Sequence, residues 1–246
     1  GNFGGNWQII SGMSFGNANN KINLDLNQLN NTENAAHMKL KLRKSFSDRF
    51  KLSFGADYFI TQFDERYNEF AVGDYKSNIG ALYTEADIFI SKKLAGKVGI
   101  RLSNNDLLKE TSVSPRVSIG YKVAKYSQFS LAFGQFSQSP SATYIKYSKD
   151  NTFENENAAH YILNFQYSKN KRTFRAETYY KDYNNLIKYN DVTAVSHLGY
   201  TNDGEGYAKG LDVFWRDGYS VKNLEYWISY SYIDTERNYK NFRNSA

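Results

Sequence analysis

The three histidines, His37, His160 and His197, stand too far apart to share a short metal-binding motif, and no H-E-x-x-H occurs. There is no cysteine, so thiolate catalysis, disulfides and cysteine-ligated metal centres are ruled out. No G-x-S-x-G elbow appears, and a Ser–His–acid triad would have to be assembled from distant segments. Asp182, Asp191, Asp203 and Glu205 gather around one polar stretch. They could hold calcium, but solvated loop acids have the same composition. Tyr144, Tyr147, Tyr183, Tyr189 and Tyr200 lie in or beside the same kind of stretch. Such aromatics can contact a substrate, anchor a membrane interface or pack loops together. The expectation is a chain with no enzymatic activity, no cofactor and no metal.

The elements that would carry these residues are written in a period of two. Phe50, Leu52, Phe54, Ala56, Tyr58 and Ile60 alternate with Lys51, Ser53, Gly55, Asp57 and Thr61. Such alternation puts one oily and one wet face on an extended strand. Met38, Leu40 and Leu42 likewise oppose Lys39, Lys41 and Arg43. Val117, Ile119, Tyr121 and Val123 oppose Arg116, Ser118, Gly120 and Lys122; Phe174, Ala176, Thr178 and Tyr180 oppose Arg175, Glu177, Tyr179 and Lys181. Each burst lasts about 9–11 residues, the length a tilted strand needs to cross a bilayer. The wet face carries ions in mid-strand. A watery or plugged lumen tolerates that, and a narrow soluble barrel filled by side chains does not. A soluble antiparallel sheet would need a second layer over its oily face, and no amphipathic helix is present to supply one.

Composition agrees with strands in a membrane. Mean hydropathy is −0.66, and no run of about 18 apolar residues exists, which excludes spanning helices but not a barrel. The chain has 21 Tyr against 2 Pro, a balance that suits strands and membrane interfaces. The net charge of +6 is spread along the sequence, so no nucleic-acid partner is expected.

About eleven strands are predicted, over 6–16, 34–46, 49–63, 78–91, 95–104, 113–124, 128–137, 157–168, 172–183, 205–216 and 223–235. Their connections alternate. Short ones fall near Ser45–Asp48, Lys92–Ala95, Lys125–Ser127, Lys169–Lys171 and Asp217–Ser220. Long ones fall near 17–33, 64–77, 105–112, 138–156 and 184–204. That asymmetry suits an up-and-down outer-membrane barrel, with short periplasmic turns and long external loops. His37 and His160 are expected at the exposed rim, where strands leave long loops. Gly1 to Gly5 reads as a turn, not a signal peptide. The odd strand count reads as a slice of a larger barrel.

From about 115 to 241 the order of segments resembles the barrel of TonB-dependent outer-membrane receptors, particularly large nutrient transporters. SPRVSIGYKV, FSLAFGQFSQSP, ENAAHYILNFQYS, FRAETYYKDYNNLIKY, YTNDGEGYAKGLDVFWR and LEYWISYSYIDTERNY follow one another. The most specific part is Tyr179 to Ile187, followed by Asn202, Gly204, Gly206, Ala208, Lys209 and Gly210. The glycines read as a structural device that permits a bulge or close backbone approach at the rim. The resemblance implies an all-β, antiparallel, 22-stranded barrel of which residues 1–246 are a part, closed by a plug domain of the same longer chain. It implies outer-membrane lipid and a TonB-type energy transducer as partners, with a surface lipoprotein as a further candidate. Neither a plug nor a TonB-contacting box is found in the chain. Lys41, Arg43, Arg101, Arg116, Arg175 and Glu177 are the expected lumen-facing plug contacts. A non-transport barrel (an adhesin or a secretion subunit) and a soluble secreted carbohydrate-binding β protein are the alternative readings.

Overall fold

The computed structural model describes residues 2–146, 153–189 and 200–239. One antiparallel sheet holds β1 (Asn2–Phe3), β2 (Trp7–Leu24), β3 (Asn27–Ser47), β4 (Phe50–Tyr67), β5 (Phe70–Phe89), β6 (Leu94–Asn105), β7 (Glu110–Ala124), β8 (Ser127–Gln138), β9 (Glu156–Lys169), β10 (Arg172–Tyr189), β11 (Tyr200–Asp217) and β12 (Tyr226–Arg237). Each strand pairs with its neighbours in the sequence, so the ladder is a strict meander. One short helix, α1 (Ala142–Ile145), lies between β8 and β9.

All eleven expected strands are present. Asn2–Phe3, expected within a turn, adds a twelfth paired segment against Trp7–Gln8. Two of the expected long loops, 17–33 and 64–77, are instead ladder. The β2–β3 pairing runs unbroken to Leu24↔Asn27, and β4–β5 continues to Tyr67↔Phe70 with one register shift between Glu65 and Arg66. Alternation fades in these stretches because both faces carry polar residues, as in Asn17 to Asn20 and Asp64 to Arg66. The backbone pairs on regardless, since hydrogen bonding does not depend on which side chains alternate. Asn68 and Glu69 both take positive φ, 46° and 71°, as the two-residue hairpin turn there requires. Asn170 and Lys171 do the same at the opposite rim, with φ of 49° and 58°.

The burial pattern is inside out for a water-soluble protein. Phe54, Ile119 and Leu131 are 45%, 47% and 58% exposed, with no protein layer over them. Leu82, Val98, Ile100, Leu102 and Val113 share that exposure. The buried set on the opposite face is largely polar: Ser53, Asp57, Glu65, Ser77, Asn105 and Ser114. Soluble domains hide their aliphatic side chains and wet their charges. A contiguous apolar belt on one face, with ions on the other, is what hydrocarbon outside and a polar lumen inside demand. The belt ends where outward positions become polar, at Gln62 on β4, Asp182 on β10 and Lys209 on β11.

Candidate functional site

The ionic face is the surface with chemistry to offer. Register alone brings its residues together. On β3 to β6 the pairs Lys39↔Asp57, Lys41↔Gly55↔Tyr83 and Tyr83↔Arg101 put these side chains on one face. Asp57 is the centre of one cluster. Arg101 Nη1 donates to it at 2.5 Å, and His37 Nε2 lies 3.3 Å away. The His37 ring stacks on Phe59 at 4.0 Å. Nearer the short-turn rim, Arg43 Nη2 donates to Asp87 at 2.7 Å. Lys97 then joins Asp87 and Glu85, at 3.3 and 2.9 Å. Together these make a ladder of alternating sign that neutralises itself across four strands.

Further along the wall the interactions change. The Arg116 guanidinium sits 4.6 Å from the Phe136 ring, and Phe136 meets His160 at 4.6 Å. Glu177 accepts from Asn164 Nδ2 at 3.2 Å. Arg175 shares that face and is exposed, with no ion pair among the described residues. Lys41 also has no ion pair among them, despite its neighbours. All six residues expected to face the lumen therefore lie on the ionic face, but in three different conditions. Arg43 and Arg101 are committed to carboxylates, Arg116 and Glu177 to uncharged groups, and Lys41 and Arg175 have charge to spare.

His37 and His160 were expected at the exposed rim. They lie within the ionic face instead, half-buried against aromatic rings. The reason is the length of the ladder: β3 begins at Asn27, so His37 falls in mid-strand. His197 lies outside the described residues. Of the five tyrosines, Tyr144 on α1 and Tyr200 at the start of β11 meet edge to face at 5.2 Å. Tyr183 lies on the ionic face in a recess of ≈ 600 Å³ with Phe136, His160, Leu186 and Arg237. Tyr147 and the side chain of Tyr189 lie outside the described residues. Of the four acids, Asp203 pairs with Lys188 at 2.8 Å and Asp182 accepts from Asn184 at 3.1 Å. Asn238 Oδ1 accepts from the Glu205 backbone N–H at 2.6 Å, and Asp191 lies outside the described residues. No cluster of acids and histidines among the described residues could hold a metal ion.

The glycine motif is explained by its partner strand. Tyr179 pairs with Gly210, Tyr183 with Gly206 and Leu186 with Gly204. A Cβ on Gly210 would stand 2.5 Å from the Tyr179 phenol carbon; one on Gly204 would stand 2.5 Å from Leu186 O, and one on Gly206 2.6 Å from Glu236 O. Between Tyr183 and Leu186 the register of β10 shifts, with Asn185 at φ 57°. The bulge thus lies in the tyrosine strand, and the glycines make room for it. Asn202 clamps the arrangement: its amide donates to Asn185 O, and its carbonyl oxygen accepts from the Glu154 backbone at 2.7 Å. Tyr83 lies over Gly55 in the same way, an aromatic ring covering a bare backbone on the neighbouring strand.

A meander with an exposed apolar belt and a buried ionic face defines a transmembrane β-barrel wall. The chain belongs to the family described as TonB dependent receptor-like, beta-barrel, whose model matches residues 1–245. Its place is therefore the outer membrane of a Gram-negative bacterium. The fold is similar to that of the alcaligin outer-membrane receptor FauA from Bordetella pertussis, with TM-score 0.74 and 12% identity over 96% of this chain and 44% of that one. It is similar also to the ferric yersiniabactin uptake receptor FyuA from Yersinia pestis, with TM-score 0.70 and 15% identity over 94% and 40%. The siderophore receptor PirA from Pseudomonas aeruginosa gives TM-score 0.67 and 12% identity over 95% and 50%. The chain thus spans half or less of the length of these structures. No curated protein matches it in sequence.

Proposed function

We propose that this wall belongs to an active transporter that imports a nutrient across the outer membrane. The chain supplies about half of a 22-stranded barrel, and a plug domain of the same longer protein fills the lumen. A TonB-type transducer in the periplasm rearranges the plug, and a surface lipoprotein is a candidate partner at the outer rim. The wall itself does no covalent chemistry. The observation that supports this reading is the ionic face. A wall facing only water has no need of a part-buried, self-neutralised ladder with cations left over, whereas a plug can pair with Lys41 and Arg175 and pack on the ladder beside them. The nutrient's class is open.

The test is uptake in cells that carry or lack the complete gene. Nutrient depletion that needs the gene and stops when an uncoupler collapses the proton-motive force supports import. Depletion indifferent to the uncoupler, or adhesion lost with the gene while uptake is kept, overturns it.

A further inference from the structure

The connection after β8 does not stay above its own strands. Ser139 Oγ accepts from Asn105 Nδ2, at the end of β6, at 2.7 Å. Ser141 caps α1 through the Thr143 backbone N–H. Lys146 then reaches β4 and β5. Its Nζ lies 2.8 Å from Glu65 Oε2 and 5.7 Å from the Phe63 ring. Its carbonyl oxygen lies 2.9 Å from where a Cβ on Gly73 would be. Glu65 and Gly73 are register partners, so they form one docking point on the ionic face. On the other side of α1, Tyr144 touches Tyr200 of β11. A segment of eight residues, 139–146, therefore contacts β4, β5, β6 and β11, and lies across the mouth of the arc.

We propose that residues 139–146 are a strap docked over the outer mouth, with Gly73 as its notch and the Glu65–Lys146 pair as its latch. The side chains of Glu65 and Lys146 are 0% and 13% exposed. A seal of apolar groups would lose contact and gain unfavourable hydration on opening. An ion pair loses its Coulomb attraction but regains the hydration of both charges, so docked and undocked strap lie close in free energy. Glycine at position 73 is what lets the strap's backbone approach the wall closely enough for the pair to form. The physiological role of the strap rests on the transport reading; its docking does not.

The test uses the complete receptor in outer membranes and needs no uptake. Ser103, on the ionic face two residues below Asn105, serves as the accessibility probe. In the Ser103→Cys background, Lys146→Gln and Gly73→Val should each raise labelling by a membrane-impermeant maleimide roughly tenfold. Lys146 lies outside the sheet, so its substitution leaves the wall intact. Labelling rates unchanged in both released variants overturn the latch.

Discussion

The wall of β3 to β6 and the wall of β7 to β11 face the same lumen with opposite strategies. The first pairs most of its charges among themselves, Asp57 with Arg101 and His37, and Asp87 with Arg43 and Lys97, and leaves Lys41 without an ion pair among the described residues. The second sets cations and histidine against aromatic rings, at Arg116, Phe136 and His160, and leaves Arg175 open. A largely self-paired ladder holds the sheet's shape, because its paired charges satisfy one another whether or not the lumen is filled. A cation–aromatic wall keeps its charge available to something arriving from outside. The difference separates residues whose charges are paired within the wall from residues whose charges are not, although all of them alternate identically in the sequence.

The sharpest way to break the comparison is to unpair the ladder. Arg101→Met leaves Asp57, with its side chain 8% exposed, without its closest cation. The complete protein in lipid should lose about 2–4 kcal/mol of stability, read from urea unfolding. A loss no larger than that of Arg175→Met would erase the distinction between the two walls. Next comes packing. Gly55→Val must displace the Tyr83 ring and should cost about 1–3 kcal/mol, most of it recovered in the double variant with Tyr83→Ala. Gly120→Ala, with nothing within 4 Å of the new Cβ, should stay within about 0.5 kcal/mol of the parent.

Lys41→Ala on the first wall and Arg175→Ala on the second, each removing a cation without an ion pair among the described residues, test the contrast from the other side. Each should change stability by no more than about 0.5 kcal/mol, yet loosen plug retention or transport. Unchanged plug protection from protease in both variants would remove these residues from the plug interface. The smallest effect is at the short-turn rim. The Ser220 hydroxyl donates to Asp217 at 2.6 Å, and the Ser220 and Tyr219 backbone N–H groups donate at 2.9 and 2.8 Å. These bonds hold its carboxyl below the ordinary aspartate range, the Ser220 hydroxyl contributing most. A depressed pKa stabilises the fold above the unfolded value near 3.8, and that contribution is lost as pH falls through the folded value. Asp217→Asn should lower neutral-pH stability slightly and flatten the further loss below pH of about 4, read from unfolding at both pH values.

The two faces were legible because side-chain period is a property of single strands. Phe54 and Asp57 could be assigned to opposite sides from the sequence, and the structure agrees. What a residue meets across the ladder was not legible. His37 looks like a rim histidine until β3 is known to start ten residues earlier, and its partners Asp57 and Phe59 belong to another strand. The upper halves of β2 to β5 read as loops because polar residues on both faces erase the alternation. The glycines were recognisable as a device for close approach, but the bulge they accommodate lies on the tyrosine strand. The strap gave no signal, since its docking joins Lys146 to Glu65, 81 positions away.

The β2–β3 hairpin carries one more consequence. Its strands run 18 and 21 residues, against the roughly ten needed to cross hydrocarbon. The surplus lifts Leu26, 99% exposed, about 20–25 Å beyond the belt. An antibody, a phage or a protease approaching the cell would encounter this stalk before it reached the pore. Recognition by such visitors can therefore drift at the tip without disturbing the wall below.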